Sequence, residues 1–95
     1  MQVENLMTLS RNFSGEPDQL LIDVRTFLQD VSAKKKNSRL HLVHALVFSS
    51  SMSEQETFNI NHRLSEIYKE TGFSVLGGDT SSGNEFNVFI STIVY

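Results

Sequence analysis

The chain has 95 residues, of which 39% are apolar and 20% are charged, and its formal net charge is −3. These values are typical of a single small globular domain spanning residues 1–95 and argue against a disordered chain. The acidic balance argues against nucleic-acid binding, the absence of cysteine excludes disulfides, and no stretch reaches the roughly 20 apolar residues of a membrane span. Without a signal-peptide pattern the cytoplasm is the default location, although a soluble domain of an exported or membrane-anchored protein would look the same.

The chain opens with a weak strand signal and a strong helix signal. Residues 2–10 favour a short edge strand, and residues 11–15 are typical of a loop because of their Asn, Ser and Gly. Pro17 suits the first position of a helix, since its missing N–H would be unpaired there in any case. The spacing of the apolar residues then predicts a helix over 17–34, with a stripe made of Leu20, Leu21, Val24, Phe27, Leu28 and Val31.

A second strand and a second helix follow. Residues 39–49 carry apolar side chains on both faces, which indicates a central strand whose second face is covered by the protein or by a partner. Ser53 and Glu56 have the spacing of a capping box, and Gly72 suits the left-handed end of a helix. We therefore predict a helix over 53–71, with an apolar face formed by Phe58, Leu64, Ile67 and Tyr68.

The last third of the chain predicts two strands joined by a polar loop. Phe73–Leu76 is a short apolar strand, residues 77–83 form the loop, and residues 85–95 alternate as a long strand. These two strands pair most simply as an antiparallel hairpin. The predicted fold class is therefore α+β: a two-layer α/β sandwich of order (β)-α-β-α-β-β, with two helices on a three- to four-stranded mixed sheet that ends in the hairpin.

The predicted loop carries the residues that bear most directly on chemistry. Glycines let backbone N–H groups converge on an anion, hydroxyls add donors, and Asp79 could hold a metal ion that bridges phosphates. The loop lacks the Gly-Lys-Ser/Thr ending of a P-loop, and the same residue types also suit a simple wide turn. The candidate ligand-binding residues are Gly77, Gly78, Asp79, Thr80, Ser81 and Ser82.

No catalytic set, cofactor site or metal site is predicted beyond this loop. His41 and His44 lie three residues apart on a strand, so they face opposite sides of the sheet and cannot chelate one metal ion together. The only basic cluster, from Lys34 to Arg39, could contact an anion, an acidic partner or a membrane surface, although a solvated helix end has the same composition.

The segments Leu76–Ser82 and Val88–Thr92 resemble part of the thiamine-monophosphate kinases and related ATP-binding proteins. These belong to the aminoimidazole-ribonucleotide-synthetase-like superfamily, in which a helix leads into an apolar strand, a Gly-Gly-Asp-Thr motif and a further strand. The resemblance implies that Asp79 binds magnesium on the nucleotide phosphates. The family's other acidic magnesium sites have no counterpart before residue 40, and its second domain is missing. The resemblance therefore implies a phosphate- or nucleotide-binding half-domain.

Two functional hypotheses follow from these patterns. The first is a non-enzymatic protein-interaction, regulatory or assembly domain that forms a homo-oligomer or binds a partner protein. Its last strand would offer a sheet edge for strand addition. The second is the nucleotide-binding half-domain just described. The candidate interface residues of the first hypothesis are Phe86, Val88, Phe89, Ile93 and Tyr95.

Overall fold

A computed structural model describes residues 6–95, and it confirms the two-layer α/β sandwich. Two helices pack on a four-stranded mixed sheet, and the elements follow in the predicted order β-α-β-α-β-β. No helix in the described part of the chain is long and apolar enough to cross a membrane. The elements are β1 (Met7–Ser14), α1 (Pro17–Lys34), β2 (Leu40–Ser49), α2 (Glu54–Thr71), β3 (Ser74–Gly83) and β4 (Asn87–Val94).

The first strand is longer than the sequence indicates. Residues 2–5 of the predicted strand lie outside the described residues, and β1 continues through residues 11–14, which were predicted to be loop. The polar residues of this stretch are tolerated because β1 is an edge strand with exposed side chains, while Phe13 is buried. Gly15, at a φ of 117°, ends the strand in a conformation that L side chains rarely adopt.

The helix α1 forms as predicted. Pro17 occupies its first turn, Asp18 lies near its positive end and Lys34 near its negative end, so both charges complement the helix dipole. All members of the apolar stripe are buried except Phe27, which is partly buried against the core.

The helix α2 has both predicted ends. The Ser53 hydroxyl accepts a hydrogen bond from the Glu56 N–H, the Glu56 side chain accepts one from the Ser53 N–H, and Gly72 is left-handed with a φ of 83°. The predicted apolar face is wrong at Phe58, which is 65% exposed, while Ile60 is buried. Two residues correspond to about 200° around a helix, so Phe58 lies opposite the face that Ile60 shares with Leu64 and Ile67.

The strand order corrects the predicted hairpin. The sheet has the order β1-β4-β2-β3, with β2 and β3 parallel and β4 antiparallel to both of its neighbours. β3 and β4 are consecutive in sequence, but β2 lies between them, so they do not pair. The link through residues 84–86 passes the end of β2, where the Ser50 N–H donates to the Gly83 carbonyl over 3.0 Å.

The two faces of the sheet are unequal. Alternate residues of a strand point to opposite faces, and on one face Leu42, Leu46, Val88 and Ile90 are buried together with the apolar stripes of the helices. On the other face no described element covers the sheet. We call this second surface the open face; its apolar side chains are Val43, Ala45, Val47, Phe89, Ile93 and Tyr95.

Candidate functional site

The Gly77–Gly83 segment is a strand and not the predicted loop. It forms most of β3, which runs parallel to β2 at the edge of the sheet. Gly77 and Gly78 do not have positive φ values, so the backbone is extended and its N–H groups alternate in direction. The proposed convergence of amides on an anion is therefore wrong for this segment.

Gly78 has a packing role that the sequence did not reveal. It lies beside His44 in the parallel register, and a Cβ atom built there would approach the His44 ring to 2.3 Å and the His44 carbonyl oxygen to 2.6 Å. The imidazole is fixed from the other side by a 2.9 Å hydrogen bond between its Nδ1 and the Tyr68 hydroxyl. Because Gly78 has no side chain, the edge strand β3 can lie close to His44, whose hydrogen bond with Tyr68 connects β2 to α2.

Burial modifies both members of this contact. Desolvation lowers the pKa of His44 below its ordinary value of 6.5 and raises the pKa of Tyr68. Both shifts favour the neutral imidazole and the neutral phenol, because a charged side chain loses part of its hydration when it is buried. At neutral pH the pair is therefore an uncharged hydrogen bond.

Asp79 lies on the open face. It is exposed, and its Oδ1 accepts a hydrogen bond of 3.0 Å from the Thr80 N–H. Within residues 6–95, no three His, Asp or Glu side chains converge on a point that could hold a metal ion. Asp79 could thus supply one ligand to a hydrated cation, with the others coming from water, a ligand or another chain.

Asp79 shares a row of the sheet with apolar side chains. The register places it beside Ala45, Ala45 beside Phe89, and Phe89 beside Asn12. Phe89 remains 42% exposed although it lies on a central strand. The candidate ligand residue therefore borders the apolar centre of the open face.

The candidate interface residues divide between the two faces. Phe86 and Val88 are 5% and 0% exposed inside the core, so they are not available to a partner, and this part of the sequence prediction is corrected. Phe89, Ile93 and Tyr95 lie on the open face. Strand addition to β4 is also excluded, because its two edges are already paired with β1 and β2.

Polar side chains at the β1 margin of the open face form hydrogen bonds with one another, whereas the buried Nδ1 of His41 has no hydrogen-bond partner within residues 6–95. Ser10 and Ser91 share a 2.9 Å hydrogen bond across β1 and β4, and Asn12 donates to Asn87 over 3.4 Å. At the β2 side, the His41 ring stacks on Tyr95 at a centroid distance of 5.4 Å. His41 and His44 thus face opposite sides of the sheet, as predicted.

The fold is similar to those of solved structures, although no protein-family model matches the chain and no curated protein matches it. The thiamine monophosphate kinase (ThiL) from Aquifex aeolicus superposes with a TM-score of 0.72 at 10% identity, over 94% of this chain and 33% of that chain. The hydrogenase maturation protein HypE in complex with ATP gives 0.72 at 14% identity, over 99% and 31%. A HypE–HypF complex gives 0.72 at 16% identity, over 99% and 34%.

The sequence resemblance to thiamine-monophosphate kinases was confined to short segments such as Leu76–Ser82. The similarity of fold covers almost the whole chain. At identities of 10–16% these similarities show a shared fold alone. The chain spans about a third of the length of these structures.

The contact at Gly78 gives the first prediction. We expect Gly78→Ala to lower the free energy of unfolding by between about 1 and 3 kcal/mol, because the new methyl group must displace His44 or its backbone. Gly77→Ala is the matched control, since a Cβ there meets nothing within 4 Å. Urea unfolding followed by circular dichroism measures both variants, and equal stabilities would contradict the packing role.

The half-buried His44 gives the second prediction. The pKa of His44 is lower in the folded chain than its ordinary value of 6.5. As the pH falls through about 6.5, His44 therefore takes up a proton in the unfolded chain before it does so in the folded chain. This proton uptake stabilises the unfolded chain, so the free energy of unfolding has its full value above about pH 6.5 and decreases as the pH falls below it. We expect the urea midpoint to decrease between about pH 7 and about pH 5. His44→Gln should weaken this dependence, and an unchanged slope in that variant would refute the assignment.

Proposed function

We propose that this chain is an assembly domain that buries its open face against a second copy of itself. The observation that carries the proposal is the inequality of the two sheet faces. One is covered by both helices, whereas the other presents Val43, Val47, Phe89 and Ile93 without a covering element in the described part of the chain.

The arrangement of polar groups on the open face supports this reading. Hydrogen bonds between Ser10 and Ser91 and between Asn12 and Asn87 pair side chains at the β1 margin with one another, which lowers the cost of removing these groups from water. The apolar side chains lie between them and β3, on the central strands β2 and β4. An apolar centre with a polar rim is the usual anatomy of a protein–protein interface.

A second copy is the simplest occupant for physical reasons. The open face leaves apolar side chains of the two central strands uncovered by the described elements, and self-association is a common way to gain apolar burial. A sheet face is also self-complementary, since two copies can stack face to face about a twofold axis. One structural neighbour is itself in a complex with a protein partner.

Substitution of Phe89 tests the proposal. We expect Phe89→Glu to shift the chain from dimer to monomer, because it places a charge at the apolar centre of the open face. Sedimentation equilibrium over a wide concentration range measures the change. Phe58→Glu is the matched control, since Phe58 is a still more exposed phenylalanine on α2. A wild-type chain that stays monomeric at millimolar concentration, or a dimer that survives Phe89→Glu, would contradict the proposal.

A second candidate function is the binding of nucleotide phosphates with magnesium at Asp79. It is favoured by the Gly77–Ser82 residues, which resemble those of the thiamine-monophosphate kinases, and by the fold shared with a protein solved in complex with ATP. A single exposed carboxylate is too few ligands for a closed cation site. On this reading the remaining ligands come from the nucleotide, from water or from a further chain.

Titration with ATP and magnesium tests the second candidate. We expect the backbone amide resonances of Gly77–Gly83 to shift on addition of Mg-ATP, and Asp79→Asn to abolish the shift because a neutral amide holds the cation weakly. Glu85→Gln is the matched control, since it removes a nearby exposed carboxylate from the link between β3 and β4. Absence of any shift at saturating Mg-ATP would reject this function while leaving self-association untouched.

A further inference from the structure

The first residues of β1, β2 and β3 and the last residues of both helices lie at the same end of the molecule. Met7 of β1 and Leu40 of β2 both lie opposite Val94, and Ser74 of β3 lies beside His41. The helices return in the opposite direction, so α1 and α2 finish at this same end.

Cations are concentrated at this end. Lys36, Arg39 and Lys69 are exposed, and none of them forms an ion pair within residues 6–95. A cation in the last turn of a helix is explained by the helix dipole, which accounts for Lys69 and for Lys34, itself paired with Asp30 at 3.1 Å. Lys36 and Arg39 lie beyond the last turn of α1, so the dipole does not require them.

The position of Arg39 is fixed by the sheet. The Arg39 N–H donates to the Tyr95 carbonyl, and the Tyr95 N–H donates to the Arg39 carbonyl over 3.1 Å. Lys36 and Arg39 are therefore carried by a turn that is anchored to the end of a central strand and not by a free tail.

Apolar side chains flank the cations. Leu6, which precedes β1, is 47% exposed, and Val75 and Leu76 at the start of β3 are 46% and 59% exposed. Leu76 is the extra residue of a bulge, since Val75 pairs with Leu42 and Gly77 with Val43. β1 and β3 are opposite edges of the sheet, so the apolar groups lie on both sides of the end, about 14 Å apart at about 4.8 Å per strand.

The opposite end of the molecule has the opposite sign. The helices begin there and β4 starts there, and the acidic residues near these positions are Glu16, Asp18, Glu54, Glu56 and Glu85. Within residues 6–95 the charges are thus separated along the strands, although the formal net charge of the whole sequence is −3. We call the surface formed by Lys36, Arg39 and Lys69 with Leu6, Val75 and Leu76 the basic end.

We propose that the basic end is a contact surface for a lipid bilayer that contains anionic headgroups. Cations near an anionic leaflet are attracted by its surface potential, and exposed leucine and valine side chains gain free energy by entering the headgroup boundary. A nucleic-acid backbone or a free phosphate would use the cations but would leave the apolar side chains in water. The basic end adjoins the open face where Arg39 pairs with Tyr95, but the inference rests on the cations and exposed apolar side chains of the basic end itself and does not depend on self-association.

Vesicle co-sedimentation of the full chain tests this inference. We expect binding to vesicles of phosphatidylcholine with about one third phosphatidylglycerol, little binding to pure phosphatidylcholine, and loss of binding at high salt. The double variant Lys36→Glu with Arg39→Glu should bind at least about tenfold more weakly. Leu76→Ser should weaken binding several-fold at each salt concentration at which the unmodified chain still binds, because it removes the apolar part of the contact.

Two controls separate the basic end from the rest of the surface. Arg63→Gln and Phe58→Ser change an exposed cation and an exposed apolar residue outside the basic end, and we expect both to bind like the unmodified chain. Equal binding to neutral and anionic vesicles, or no binding at low salt, would overturn the inference. A Leu76→Ser variant with unchanged affinity would also overturn it, since a purely ionic contact would then point to a soluble polyanion.

Discussion

The position of β4 between β1 and β2 is the constraint on which the rest of the structure depends. Its even-numbered residues complete the buried core, and its odd-numbered residues carry the centre of the open face. Because both of its edges are paired, β4 leaves β1 and β3 as the edges of the sheet. The Gly-Gly-Asp-Thr segment is exposed at an edge for this reason, and the centre of the apolar surface lies on a strand that is paired on both sides.

Features that depend on neighbouring residues were predicted correctly, whereas the strand order, which depends on distant residues, was not. Both helices, the capping box at Ser53 and the left-handed Gly72 depend on residues close in sequence, and all were predicted correctly. The hairpin was wrong because strand order is set by contacts between distant residues, such as those of Met7 with Val94. Once β4 pairs with β1 on one edge and with β2 on the other, a hairpin with β3 is no longer possible.

The sequence identified residues 77–83 as the candidate site but did not predict their conformation. Glycine and serine suit a turn and an exposed edge strand equally well, so residues 77–83 gave no signal that separates the two. The contact of Gly78 with His44 joins residues 34 positions apart in different strands, and no local spacing reveals it. Phe86 and Phe89 lie three residues apart and so face opposite sides of the sheet, but only the packing of the helices shows that Phe86 is buried and Phe89 exposed.

If the open face is a surface for assembly, its methyl groups should change their NMR shifts as the protein concentration increases. We expect concentration-dependent shifts at Val43, Val47 and Ile93 on the open face. Ile22, which is 52% exposed on α1, should keep a constant shift. Constant shifts at all four residues, or shifts confined to Ile22 on the helical side, would show that the open face does not assemble.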